Sequence, residues 1–134
     1  MALMIVDTSA LIAFFIQSEK HHLAARHYIE QNPAARWVIT ETVFDEFVTW
    51  MRAKVSIASS IQVGQILRTE HIYVNISDED DATTWETFSK YNDKKWSYTD
   101  CSTLVIANKL EISRVFAFDE HINQMAGFGI ECVP

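Results

Sequence analysis

Two aspartates each stand directly after a short apolar segment of the kind that forms a buried strand. Asp7 follows Leu3–Val6, and Asp119 closely follows the apolar run that starts at Val115 and ends at Phe118. In an open parallel sheet the carboxyl ends of the strands lie at one edge, and ligands bind there. We therefore expect both carboxylates to lie at the same edge of a sheet.

Two further acids fall within predicted helices. Asp100 lies in the first turn of a helix predicted over 99–110, where the approach is basic and aromatic. Glu46 lies in a helix predicted over 40–54, on the flank of its apolar face, so its side chain can reach inward. Glu41 borders the other flank and is the reserve candidate.

A cluster of these four acids would require a cation. Several carboxylates within a few ångströms cannot all stay ionised unless positive charge lies between them. Oxygen ligands without a histidine or cysteine partner suit Mg²⁺ or Mn²⁺ rather than Zn²⁺. Such an ion binds phosphate and activates water, which predicts chemistry on a phosphate-bearing substrate.

Each acid also has a purely structural explanation. Asp7 and Asp119 are suitable N-caps, and Asp100 complements the dipole of a first helical turn. Glu46 could be an ordinary surface residue at the boundary of its helix. Independent caps need not converge on one edge of a sheet, so the joint placement of the acids is what favours a functional cluster.

Short apolar strands alternate with amphipathic helices along the chain, which predicts βαβ units and a parallel sheet covered on both faces. We expect a helix with an N-cap at Ser18, and we expect the helix over 78–91 to bury Ala82, Trp85 and Phe88. The helix over 99–110 should bury Leu110. The predicted strands are 3–6, 37–39, 72–74, 115–118 and 130–133, and the predicted helices are 9–16, 18–31, 40–54, 56–67, 78–91, 99–110 and 119–126.

The composition is that of one folded domain spanning residues 1–134. Hydrophobic residues make up 49% of the chain and charged residues 22%, which excludes a disordered protein. The net charge of −7 excludes nucleic-acid binding through a general positive field, so a phosphate would need a local cation. Two cysteines without a paired pattern, and the lack of a signal or membrane-spanning segment, predict a cytoplasmic protein that does not bind membranes.

Four segments together resemble the PIN-domain family of metal-dependent ribonucleases, which includes the VapC-type toxins of bacterial toxin–antitoxin pairs. The resemblance runs nearly from end to end, and the third segment is the most specific. One departure is Ser9, where many members have Asn. The segments are IVDTSALI (5–12), TETVFDEF (40–47), WSYTDCS (96–102) and VFAFDEH (115–121).

This resemblance implies a three-layer α/β/α sandwich with a parallel sheet of four or five strands. It implies a Mg²⁺ or Mn²⁺ site, hydrolysis of RNA phosphodiester bonds, a homodimer and an antitoxin partner. We expect attack by a water molecule that the metal activates, leaving a 5′-phosphate and a 3′-hydroxyl. The metal-binding and catalytic roles fall on Asp7, Glu46, Asp100 and Asp119, and the hydroxyls that would orient these carboxylates are those of Thr8, Ser9 and Thr99.

Two alternatives stay open at this point. A phosphatase of the haloacid dehalogenase kind also has a strand that ends in Asp, which would make Asp7 a nucleophile. That family has a second Asp two positions later, where this chain has Ser9. The other alternative is a non-catalytic module on the same fold that binds RNA or a protein.

Overall fold

The computed structural model describes residues 2–134 and contains a five-stranded sheet in which every neighbouring pair is parallel. This confirms the predicted α/β class and the parallel sheet of four or five strands. The strand order across the sheet is β3-β2-β1-β4-β5. The strands are β1 (Leu3–Val6), β2 (Arg36–Thr40), β3 (Ile72–Val74), β4 (Arg114–Phe116) and β5 (Glu131–Val133).

Helices connect the strands and cover both faces of the sheet. Thr40 caps the helix after β2 through its side chain, and Ser56 caps the next helix in the same way. A short 3₁₀ turn over Ala126–Phe128 precedes β5. The helices are α1 (Thr8–Phe15), α2 (His22–Gln31), α3 (Glu41–Lys54), α4 (Ile57–Thr69), α5 (Asp78–Lys90), α6 (Tyr98–Leu110) and α7 (Glu120–Asn123).

The central strand β1 contributes to two separate hydrophobic clusters, because successive side chains of a strand point to opposite faces. Met4 and Val6 pack with apolar side chains of α1, α2, α3 and α4. Ile5 packs on the other face with residues of α6 and α7. The arrangement is the expected three-layer α/β/α sandwich.

The order of the strands creates a switch point between β1 and β4. From β1 the chain proceeds outward on one side to β2 and β3, and it then returns to pair β4 with β1 before adding β5. Connections leave the two central strands in opposite directions, which opens a crevice at their carboxyl ends. Asp7 and Asp119 follow these two strands and therefore flank the crevice.

The predicted helix start at Ser18 is wrong. Residues 17–21 form turns, and α2 begins at His22 with His21 as its N-cap residue. Turn hydrogen bonds join Glu19 N–H to the carbonyl of Ile16 and His22 N–H to the carbonyl of Glu19. His21 also stacks on Phe118, with ring centroids 4.6 Å apart. These contacts hold the segment as turns before the helix can start.

The predicted inner face of α5 is also wrong. Trp85 is 61% exposed and Phe88 is 40% exposed, and Ala82 is exposed as well. The buried side chains of this helix are Asp80 and Thr84. 

The buried carboxylate of Asp80 has two polar partners. Its carboxylate accepts hydrogen bonds from Lys109 Nζ at 3.0 and 3.1 Å, and it completes a capping box with Ser77.

The prediction that Leu110 is buried is wrong, because this residue is 39% exposed at the end of α6. Within residues 2–134, no helix is both long and apolar enough to cross a membrane.

Candidate metal centre

Asp7 lies at the end of β1 and serves as the N-cap of α1. Its Oδ2 atom accepts hydrogen bonds from the Ser9 backbone N–H at 3.1 Å and from the Ser9 hydroxyl at 2.6 Å. The Ser9 hydroxyl also accepts a hydrogen bond from the Phe118 backbone N–H at 3.0 Å. Ser9 therefore orients the Asp7 carboxylate and joins the ends of β1 and β4.

Asp100 is held in the first turn of α6 by a capping box. Its Oδ2 atom accepts from the Ser97 backbone N–H at 2.9 Å, and its own N–H donates to the Ser97 hydroxyl at 3.0 Å. The carboxylate is buried, with only 6% of the side chain exposed. Its other oxygen has no part in the capping box and is available to a ligand.

Asp119 follows β4 and caps the short helix α7. Its Oδ1 atom accepts a hydrogen bond from the His121 backbone N–H at 2.9 Å. The Nδ1 atom of His121 lies 3.1 Å from Asp100 Oδ2 and 3.7 Å from Asp119 Oδ1. In the part of the chain that the structure describes, Asp100, Asp119 and His121 form one group whose ligand atoms all lie within 4.8 Å of one another.

Asp7 belongs to the same electrostatic environment. Burial raises the pKa of Asp7 from 3.8 to about 6; hydrogen bonds from Ser9 lower it, and the negative charges of Asp100 and Asp119 raise it further. Hydrogen bonds from the Asp7 N–H to the Phe116 carbonyl at 2.9 Å and from the Phe118 N–H to the Ser9 hydroxyl at 3.0 Å hold the end of β1 beside the segment that carries Asp119. The structure thus brings together three of the four predicted acids, on three different elements.

Glu46 approaches from α3 rather than from the sheet. Its side chain is exposed, and it lines an open cleft of about 390 Å³ together with Tyr98 and Thr99. The hydroxyls of Thr42 and Ser102 form a hydrogen bond that joins α3 to α6 beside this cleft. The reserve candidate, Glu41, is engaged elsewhere, because its Oε1 atom accepts from the Ile76 backbone N–H at 2.8 Å.

The three predicted orienting hydroxyls have different environments. Ser9 holds Asp7 as described. The Thr8 hydroxyl is buried and has no hydrogen-bond partner among residues 2–134. Thr99 is half-buried in the cleft that Glu46 lines, directly before Asp100.

The donor set of this centre fits a divalent ion. Neighbouring carboxylates gain from a cation between them, because it removes their mutual repulsion. Carboxylate oxygens are the ligands that Mg²⁺ and Mn²⁺ prefer. His121 is not among the four predicted ligands, and its position two residues after Asp119 is the sequence signal that places it at the border of the site.

The comparison with protein families is consistent with this geometry. A model of the PIN domain matches residues 4–128 of the chain. The matched region contains all four predicted acids and His121. No curated protein has a significantly matching sequence.

Solved structures with the same fold are distant in sequence. VapC20 from Mycobacterium tuberculosis, described as a toxin that cleaves the sarcin–ricin loop, is 17% identical over 96% of each chain, with a TM-score of 0.84. A toxin–antitoxin complex from Klebsiella pneumoniae is 19% identical over 100% of this chain and 97% of the other, with a TM-score of 0.68. VapBC-1 from nontypeable Haemophilus influenzae is 15% identical over 98% and 96%, also with a TM-score of 0.68. At these identities the likeness is one of fold.

Proposed function

The chain belongs to the PIN-domain family, and from that premise we propose that it is a ribonuclease that hydrolyses RNA phosphodiester bonds with a divalent ion, Mg²⁺ or Mn²⁺. One observation carries the proposal. Asp100 and Asp119 come from separate elements, yet each has a carboxylate oxygen within 4.8 Å of the other, and Asp7 ends the neighbouring strand β1 at the switch point between β1 and β4. Caps that served only their own helices would not need to share this place.

In the proposed site the buried carboxylates of Asp7 and Asp100 and the more exposed carboxylate of Asp119 would hold the ion. Glu46, which lines the cleft from α3, would bind the ion or orient it through water. A bound divalent ion supplies positive charge for the phosphate and lowers the pKa of a water molecule.

The remaining residues prepare these carboxylates for binding. Ser9 fixes one oxygen of Asp7, and the Ser97 capping box fixes one oxygen of Asp100, so little rotational freedom is lost when an ion binds. Both acids keep an oxygen free of these hydrogen bonds. Because the chain carries a net charge of −7, we expect RNA to bind productively only when the ion is present.

We also propose that the protein is the cytoplasmic toxin of a toxin–antitoxin pair and forms a homodimer. The similar structure from Klebsiella pneumoniae supports the antitoxin part, since it is described as a toxin–antitoxin complex. An arginine of an antitoxin could enter the acidic centre and form charge-assisted hydrogen bonds with the carboxylates.

A cleavage assay tests the ribonuclease activity. The purified chain is incubated with pooled cellular RNA and Mg²⁺ or Mn²⁺, with and without EDTA. We expect cleavage that EDTA stops and that excess metal restores. Asp100→Asn should reduce the rate by about a hundredfold or more, since even side chains that only support a metal ligand contribute about 10–100-fold. The asparagine can still accept the Ser97 N–H, so the helix start is preserved.

The control is Glu30→Gln, which changes an exposed acid on α2 and should cleave like the wild type. Equal activity of Asp100→Asn and wild type would refute the proposed site. Stabilisation by metal without cleavage of any RNA would favour the non-catalytic module. A phosphoaspartate trapped on Asp7 would revive the phosphatase alternative, which family membership otherwise displaces.

A further inference from the structure

The ring of His121 faces Asp100 and Asp119, although His121 is not one of the four predicted ligands. Its Nδ1 atom lies 3.1 Å from Asp100 Oδ2 and 3.7 Å from Asp119 Oδ1, and 28% of the side chain is exposed. The backbone of His121 is fixed by Asp119, which accepts its N–H as the cap of α7. The ring is oriented by its own contact, in which Nδ1 lies within hydrogen-bond distance of Asp100 Oδ2.

The spacing of these atoms fits a shared ion. Adjacent ligands of an octahedral ion with bonds of about 2.1 Å are separated by about 3 Å. The distance from Nδ1 to Asp100 Oδ2 has this value, and the distance to Asp119 Oδ1 is slightly longer. Each of these oxygens accepts one backbone hydrogen bond and has a second lone pair for an ion, so Asp100 can bind through Oδ2 as well as through its other oxygen. A hydrogen bond between His121 and Asp100 has the same length, so the two roles must be separated by chemistry rather than by distance.

We propose that His121 binds the metal through Nδ1, so that the centre is a mixed carboxylate–imidazole site that prefers Mn²⁺ to Mg²⁺. This inference rests on the proposed function. Imidazole nitrogen is a borderline ligand that gains more from a transition ion than from Mg²⁺, for which oxygen ligands suffice. One nitrogen ligand among carboxylates shifts the balance between the two ions without making the site one for zinc.

The direct test is pulsed electron paramagnetic resonance of the chain loaded with Mn²⁺. A coordinated imidazole produces ¹⁴N modulation of the electron spin echo. We expect this modulation in the wild type and its loss in His121→Ala. The matched control is His21→Ala, which removes another imidazole, stacked on Phe118 and lining a cleft beside Ser9, and which should keep the modulation.

Calorimetry of the same proteins measures the preference between ions. His121→Ala should lower the ratio of the Mg²⁺ to the Mn²⁺ dissociation constant by roughly tenfold, the lower end of the effect of losing a group that supports a metal. His121→Asn keeps a hydrogen-bond donor for Asp100 and provides an oxygen ligand. It should bind Mg²⁺ nearly as well as the wild type, lack the modulation and lose the preference for Mn²⁺.

Two results would overturn the inference while leaving the proposed function intact. One is a Mn²⁺-loaded wild type without ¹⁴N modulation. The other is a loss of affinity in His121→Ala that is equal for both ions, which would mean that His121 acts only through its hydrogen bond to Asp100. A wild type that binds neither ion would instead refute the proposed metal site itself, and this inference with it.

Discussion

Replacing Asp7 with asparagine should stabilise the metal-free protein at neutral pH while preventing metal binding. The reason is the position of Asp7, which is 3% exposed and close to two other carboxylates. Burial, reinforced by the charges of Asp100 and Asp119, raises its pKa to about 6. The folded protein without a cation therefore holds an ionised carboxylate in an unfavourable place.

The size of the effect follows from the pKa. The pKa of Asp7 is about 6 in the folded chain and 3.8 without the protein environment. At about 1.4 kcal/mol for each pKa unit, this difference lowers the free energy of unfolding at neutral pH by about 3 kcal/mol. Below about pH 4 the carboxyl is protonated in both states, and the penalty vanishes. It develops as the pH rises from about 4 to about 6 and stays constant above that. Asparagine is neutral throughout and still accepts the hydrogen bonds of Ser9.

Urea denaturation in EDTA across this pH range measures the difference. We expect Asp7→Asn to match the wild type near pH 4 and to exceed its unfolding free energy by up to about 3 kcal/mol at pH 8. Added Mn²⁺ should stabilise the wild type and leave the variant unchanged. The control is Glu86→Gln, which changes an exposed acid on α5. Its unfolding free energy should differ little from that of the wild type at either pH.

Two results would refute this reasoning. One is a variant that is no more stable than the wild type at pH 8 without metal. The other is a stabilisation of the same size at pH 4 and pH 8. Either would mean that the three carboxylates do not share one buried environment.

Four further substitutions test the packing of the fold by urea denaturation. Ser9→Ala should cost about 2 kcal/mol, because it removes the hydroxyl that joins the ends of β1 and β4, and an unchanged stability would contradict this. Trp96→Ala should cost about 3–5 kcal/mol and Trp85→Ala less than about 1, since the first is buried and the second exposed; equal costs would be inconsistent with the structure. Burial raises the pKa of Asp80, but hydrogen bonds from Lys109 and from the start of α5 lower it overall, so Lys109→Met should cost about 2 kcal/mol at pH 7 and less as the pH falls through the acidic range.

The sheet could be predicted from the sequence because its strands carry a local signal. Runs such as Leu3–Val6 and Ile72–Val74 are short and apolar, and the structure places strands at these same residues. Caps such as Thr40 and Ser56 fix helix starts within the same few residues. Local chemistry of this kind is readable without knowledge of the fold.

The inner face of α5 could not be predicted, because a distant partner determines it. Asp80 is buried through its contact with Lys109, which lies on another helix 29 positions later in the chain. Hydrophobicity alone favours turning Trp85 and Phe88 inward. The structure instead buries Asp80 and Thr84, and no pattern within α5 reveals this.

The local sequences around the predicted acids fit two roles equally well. Asp7 and Asp119 do cap their helices, and Asp100 does complete a capping box. Only the strand order, which pairs β1 with β4, distinguishes a shared centre from three separate caps. His121 was not among the predicted ligands, because the orientation of its ring depends on how the short helix α7 follows β4.

The most direct test of the central claim, that these carboxylates assemble a metal site for RNA hydrolysis, is to identify the ends of the cleaved RNA by mass spectrometry after reaction in H₂¹⁸O with Mn²⁺. We expect the wild type to form 3′-hydroxyl ends and 5′-phosphates that carry ¹⁸O, and we expect neither product with EDTA. Fragments that end in 2′,3′-cyclic phosphate and 5′-hydroxyl, produced equally well in EDTA, would contradict it.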